Sequence, residues 1–133
     1  MIGVVVATHG KLAEEMIRTA ETVVGKLELI AAVSVVATAP DMRTDLKEAI
    51  RAVDQGEGVL LLTDLLGGSP TNLCLSFLAE RQVEVVTGVN LPMLLKLGGL
   101  RQSHKPIIQV AGELAEAGKQ SIGHASEMLR RLV

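Results

Sequence analysis

Val59-Leu-Leu-Leu-Thr-Asp-Leu-Leu-Gly-Gly-Ser-Pro70 is the stretch whose reading decides the fold. Val59 to Thr63 is a short, continuous apolar run, which reads as a strand buried on both faces. Ser69 then offers an N-cap and Pro70 suits the first helical turn, so a helix opens there and runs to about Leu78. A buried strand that passes at once into a helix is half of a βαβ unit.

The same alternation continues outward on both sides. Toward the N-terminus, Ile2 to Ala7 is Val-rich and reads as a strand. Lys11 to Val24 carries Leu12, Met16, Ile17, Ala20, Val23 and Val24 at helical spacing, with Gly25 as its stop. Leu29 to Val36 is a second β-rich run. Pro40 opens a helix over Asp41 to Val53, and Gly56 and Gly58 break it from the central strand. Toward the C-terminus, Val83 to Thr87 is a fourth strand. Asn90-Leu-Pro starts a short helix covering Met93, Leu94, Leu95 and Leu97, ended by Gly98-Gly99. Pro106 leads into a further helix to about Gly118, and Ser121 to Leu129 is ambiguous by pattern. The order βαβαβαβ with short connections predicts an α/β fold. Its parallel sheet is covered by helices on both faces, in three layers, with right-handed crossovers.

The 133 residues support a single domain, 1–133, and a chain of this size buries enough surface to fold without a disulfide or structural metal. Phe77 is the only aromatic residue. Stacking platforms for nucleic-acid bases need several aromatics, and a formal net charge of -2 provides no basic excess for phosphate backbones. Nucleic acid is therefore excluded as a partner, and an aromatic-lined sugar cleft is equally disfavoured. One cysteine, Cys74, suits a reducing compartment. The N-terminus lacks a basic n-region, and no apolar run approaches the ~18 residues of a membrane span. These features predict a cytoplasmic protein.

Open parallel sheets bind ligands beyond the carboxyl ends of their strands, near a switch in strand order. The first strand is followed by Thr8-His9-Gly10 and the second by Thr38-Ala39-Pro40-Asp41. After the third come Asp64 and Gly67-Gly68-Ser69-Pro70, and after the fourth Gly88 and Asn90. If the first and third strands are neighbours, His9 and Asp64 converge. A carboxylate on one ring nitrogen fixes the tautomer of His9 and leaves the other as a nucleophile. Gly67 and Gly68 can aim backbone N–H groups inward, and Ser69 can add a hydroxyl, making an anion site. A nucleophilic imidazole beside a phosphate cradle suggests a phosphohistidine. Each part alone has a plainer reading: a packing His, a loop-tying Asp, a common turn into a helix. Their joint position favours function. His104, beside Arg101 and Lys105, reads as solvated surface. His124 has no carboxylate at metal-ligand spacing, and Cys74 reads as a small core residue.

With these residues in view, the chain resembles the enzyme IIA domain of the mannose family of the bacterial phosphoenolpyruvate-dependent sugar phosphotransferase system. The matching stretches are Val4-Val-Val-Ala-Thr-His-Gly10, Ala13-Glu14, Thr19-Ala-Glu21, Gly58-Val-Leu-Leu-Leu-Thr-Asp64, Gly67-Gly-Ser-Pro70 with Asn72, and Gly88-Val-Asn-Leu-Pro-Met93. The resemblance implies that His9 accepts a phosphoryl group on Nε2 from the phosphocarrier HPr and passes it to a IIB component. It implies that Asp64 orients His9, and that Ser69 with the backbone around Gly10, Gly67 and Gly68 holds the phosphoryl group. No cofactor and no metal are implied, because the group arrives already activated. Contact with a membrane permease would run only through IIB.

The resemblance also implies a homodimer. Residues from about 119 to 133 would form an exchanged arm, with roughly Ile122 to Met128 as an antiparallel edge strand on the partner. The family often has an aromatic where this chain has Leu65-Leu66, and a bulkier residue where it has Thr71. The chain stops at Val133 without a IIB domain, as a stand-alone IIA protein would. Three alternatives stay open. One is a regulatory IIA protein whose phosphorylation state another protein reads. The others are a phosphoryl-transfer subunit of a dihydroxyacetone kinase and a module that binds an anion without being phosphorylated.

Overall fold

The computed structural model describes residues 1–36 and 41–132. Four strands, β1 (Gly3–His9), β2 (Ile30–Val35), β3 (Val59–Thr63) and β4 (Val83–Val86), alternate with α1 (Leu12–Val24), α2 (Met42–Val53) and α3 (Ser69–Leu75). Three helices follow: α4 (Leu91–Gln102), α5 (Ile107–Gln120) and α6 (Ala125–Arg131). The strands form one parallel sheet in the order β2-β1-β3-β4. The three-layer α/β reading of the sequence therefore holds.

The unbroken Val and Leu runs follow from this geometry. Side chains alternate across a strand, so both sets must be apolar when both faces are covered. Val4, Val6, Leu60 and Leu62 face α1, α4 and α5, where Ala20, Leu94, Leu97, Val110 and Leu114 complete one core. Val5, Ala7, Val59 and Leu61 face the opposite layer, packing with Leu46 and Ile50 of α2 and with Cys74 and Phe77. Phe77 is fully buried, and the Arg43 guanidinium lies 4.3 Å from its ring centroid.

Four expectations need correction or limits. Gly98-Gly99 does not end α4, which continues to Gln102. The buried Leu97 and Arg101 flank the pair, and their packing offsets the cost of glycine in a helix. α3 stops at Leu75, and turns carry the chain on to Glu80. The implied strand over Ile122 to Met128 is not formed. Residues 125–131 are the helix α6, in which every residue but Ser126 is a good helix former. Among the described residues no antiparallel strand joins the sheet. The opening of α2 at Pro40, and Thr38-Ala39 before it, lie outside the described residues. α2 itself begins at Met42 after Asp41.

Candidate active site

The sheet order makes the site. β1 is central, β2 lies on one side and β3 on the other, so the crossover direction reverses between β1 and β3. The loops after these two strands diverge there and leave a crevice at their carboxyl ends. β1 ends in His9, and β3 in Thr63, followed by Asp64. The two expected partners meet: His9 Nδ1 lies 2.8 Å from Asp64 Oδ2. The same carboxylate oxygen accepts the His9 backbone N–H at 3.0 Å, and Oδ1 accepts the Leu65 N–H at 3.0 Å. Partial burial pushes the Asp64 carboxyl up, but the bonds from the His9 ring and backbone, the electrostatic attraction of His9 and a bond from Asp64's own backbone together outweigh it. The net direction is below the ordinary carboxylate value.

The Asp64 side chain is only 11% exposed, whereas that of His9 is 51% exposed. Nδ1 thus points inward to a fixed acceptor. Nε2 has no protein partner among the described residues. An anionic acceptor at Nδ1 selects the tautomer with its proton on Nδ1, and Nε2 then carries the free lone pair.

The glycines shape the space beside the ring. A Cβ on Gly68 would stand 3.1 Å from His9 Cε1, so a side chain here would push the imidazole by a few tenths of an ångström. Gly10 and Gly67 have φ of 54° and 82°, a region glycine enters without the strain a Cβ brings. Ser69, the first residue of α3, is exposed and bonds neither His9 nor Asp64. It follows Gly68 directly in the chain.

Three hydroxyls hold this arrangement, and spacing in the sequence did not single them out. Thr8 Oγ1 is buried and accepts the Ala13 N–H at 2.8 Å, tying the end of β1 to the start of α1. Ser34 donates to the Gly10 carbonyl at 2.6 Å, which fixes the turn after His9 from β2. Thr71 lies 2.6 Å from Thr63 Oγ1 and donates to the Leu65 carbonyl at 2.7 Å. That explains a small hydroxyl residue after Pro70: it pins both ends of the Asp64 loop. The only available signal was the Thr itself at a position where bulk is common.

Cys74 is fully buried, and burial pushes its thiol up to about 12, so it is a core residue and not a nucleophile. His104 and His124 are exposed and far along the chain from the site. Among the described residues no group of three His, Cys, Asp or Glu side chains converges as a metal cluster would. No helix among them is long and apolar enough to cross a membrane.

Residues 3–106 match the family model described as PTS system fructose IIA component, of the mannose-type EIIA group. The chain belongs to this family. It is 29% identical over 124 residues to the PTS system mannose-specific EIIAB component of Escherichia coli K12, a match over 91% of this chain. It spans only 38% of that protein's length. It is 35% identical over 86 residues to the PTS system fructose-specific EIIA component of Bacillus subtilis, covering 64% of this chain and 58% of the relative. The PTS IIA protein associated with the fucose utilization operon of Streptococcus pneumoniae superposes with a TM-score of 0.78 at 28% identity, covering 96% of this chain and 95% of that one. A phosphotransferase system EIIA component from Streptococcus agalactiae shares the fold more tightly, with a TM-score of 0.86 at 23% identity over 96% of this chain and 99% of that one. As a IIA component of the mannose and fructose family, the chain carries its His-Asp pair at the carboxyl edge of a four-stranded parallel sheet.

Proposed function

We propose that this chain is a phosphocarrier: His9 takes a phosphoryl group from phospho-HPr and delivers it to a IIB component for sugar uptake. The observation that carries the reading is the 2.8 Å bond from His9 Nδ1 to Asp64. It leaves Nε2 as the exposed nucleophile. In the step, the Nε2 lone pair attacks phosphorus while the bond from phosphorus to the donor's imidazole nitrogen breaks. The donor nitrogen keeps that electron pair. Asp64 stabilises the positive charge that grows on the ring. The backbone around Gly10, Gly67 and Gly68, with Ser69, holds the phosphoryl oxygens, so positioning and charge stabilisation supply the catalysis. Transfer to IIB is the same step with His9 as donor.

Incubation with phosphoenolpyruvate, enzyme I and HPr tests this. An acid-labile phosphate on His9, passed on when IIB is added, is expected. A His9→Ala variant that still becomes labelled overturns it.

Homodimerisation and a cytoplasmic location belong to the same proposal. α6 has no buried residue, and Ile122, Met128, Leu129 and Leu132 are all exposed. A hollow of about 550 Å³ runs beside the unpaired edge of β4, between Val85, Met93, Ile108 and Ala115. A second copy's arm, from about residue 119 onward, fits this apolar trough. Light scattering should give twice the 14.0 kDa chain mass. A monomer throughout the micromolar range refutes it.

A further inference from the structure

The loop that follows Asp64 is held by one side chain of the next helix. Between β3 and α3, Leu65, Leu66 and Gly67 belong to no helix or strand. Leu66 is 77% exposed, so burial does little to fix the loop. Among the described residues, the backbone of 65–67 makes two hydrogen bonds. The Leu65 N–H donates to Asp64 Oδ1 at 3.0 Å, within the loop itself. The Leu65 carbonyl accepts the Thr71 hydroxyl at 2.7 Å, and this bond alone ties the segment to a separate element.

Proton count gives the contact a direction. A carbonyl only accepts, so the one O–H proton of Thr71 goes to Leu65. Thr63 Oγ1, 2.6 Å away, must then donate to Thr71 Oγ1. Thr63 and Thr71 are both buried, so water does not compete at either hydroxyl. The chain of bonds runs from the end of β3, through the first turn of α3, to the loop. Leu65 carries it into the site. Its N–H holds Oδ1 of Asp64, while Oδ2 takes the His9 ring at 2.8 Å and the His9 N–H at 3.0 Å. A carboxylate is planar, so holding Oδ1 sets the direction in which Oδ2 faces the ring. The Leu65 side chain borders the same space as the imidazole. A Cβ built on Gly68 would stand 3.4 Å from Leu65 Cγ and 3.1 Å from His9 Cε1.

We infer that Thr71 is a positioning residue for phosphoryl transfer. It acts through Leu65 on Asp64, and so on the Nδ1 proton whose place leaves Nε2 as the nucleophile. Thr71 itself makes no hydrogen bond to His9 or Asp64. Its role rests on the phosphocarrier reading of His9. Without the hydroxyl, the Leu65 carbonyl turns toward water, the loop swings with it, and Oδ2 loses its line to Nδ1.

Thr71→Val removes the hydroxyl at nearly constant volume, and Thr71→Ser keeps it. The full-length proteins are compared at a temperature where circular dichroism finds them folded. With phospho-HPr as donor, kcat should fall about tenfold in Thr71→Val while KM stays within about twofold, and Thr71→Ser should recover most of the loss. The second donor is phosphoramidate, whose P–N bond breaks as ammonia leaves with the electron pair. It needs no docking surface, and the rate at His9 should fall by the same factor. The ring Nδ1–H signal of His9, held by Asp64 in the parent, should broaden in Thr71→Val and return in Thr71→Ser. If Thr71→Val does not fold, Thr71→Ala removes the same hydroxyl and carries the same expectations. Unchanged rates and an unchanged ring signal in the folded variant overturn the inference. So does a raised KM with kcat intact, which would place Thr71 in partner docking, or a Thr71→Ser protein as slow as Thr71→Val. A parent chain that phospho-HPr does not label refutes the phosphocarrier reading instead, and the phosphoramidate rate and ring signal still decide what Thr71 does.

Discussion

Asp64→Asn probes the site most directly, because it keeps the shape and removes the charge. Asp64 receives three hydrogen bonds: Oδ2 takes the His9 ring at 2.8 Å and the His9 N–H at 3.0 Å, and Oδ1 takes the Leu65 N–H at 3.0 Å. Asn has one acceptor oxygen and one NH₂ group. With its oxygen toward His9, the NH₂ faces the Leu65 N–H. Turned over, the NH₂ faces the His9 N–H and ring. Either way, at least one donor-donor contact replaces a bond, and the ring loses its anionic partner. A hydrogen bond to a charged group contributes about 1.5–3 kcal/mol. The exposed side of the His9 ring lets water screen the charge, which favours the lower part of that range. If the whole loss falls on the transition state, about 1.5–2.5 kcal/mol slows phosphorylation roughly 10- to 70-fold. Stability should fall by about 1 kcal/mol, lowering Tm by roughly 3–5 °C. The assay is the initial rate of label transfer from phospho-HPr, at a temperature where circular dichroism finds both proteins folded. A rate within twofold of the parent would refute the reasoning and leave Asp64 as a loop tie alone.

Gly68→Ala should place a methyl group 3.1 Å from His9 Cε1 and tilt the ring by a few tenths of an ångström. Transfer slows by about tenfold while Tm changes little; a large Tm loss with an unchanged rate in the folded protein would contradict this. Acid should weaken the Asp64 anchor in a defined direction. The carboxyl lies below its ordinary value in the folded state, so its stabilisation is complete above about pH 4 and fades as pH falls through the lower folded value. The stability gap between the parent and Asp64→Asn should therefore close in acid, as chemical denaturation would measure. Gly99→Ala should stabilise the chain by about 0.5–1 kcal/mol, because Gly99 is inside α4 and a Cβ there meets nothing within 4 Å. Thermal melting checks it, and a lower Tm would mean that the surface of α4 is occupied in solution.

The sheet and its site were legible because their signals are local and redundant. Ile2–Ala7 and Val59–Thr63 are too short and too continuously apolar for surface helices, and each is closed by a turn and followed by helical spacing. Chemistry in this fold collects after strands, so His9 and Asp64 could be named before their distance was known. The C-terminal third was less legible. Gly98-Gly99 looks like a stop in the sequence, but a helix end depends on whether packing offsets the glycine cost. Leu97 and Arg101 settle that through burial. Ile122 to Met128 has no strong period of its own. It carries helix-forming residues, and in a single chain they take α6 without burying any of it.

The sequence by itself determined the α/β alternation, the two buried faces of each strand and the identities of the imidazole, carboxylate and glycines, since each follows from periodicity or residue chemistry. Only the tertiary structure decided that β1 and β3 are neighbours, which brings His9 to Asp64 across 55 positions of chain. The same holds for Ser34 gripping Gly10, Thr71 pinning the Asp64 loop and Arg101 lying buried beneath β1. These are contacts between distant segments, set by strand order and packing, and no local pattern in a sequence encodes which distant partners will meet.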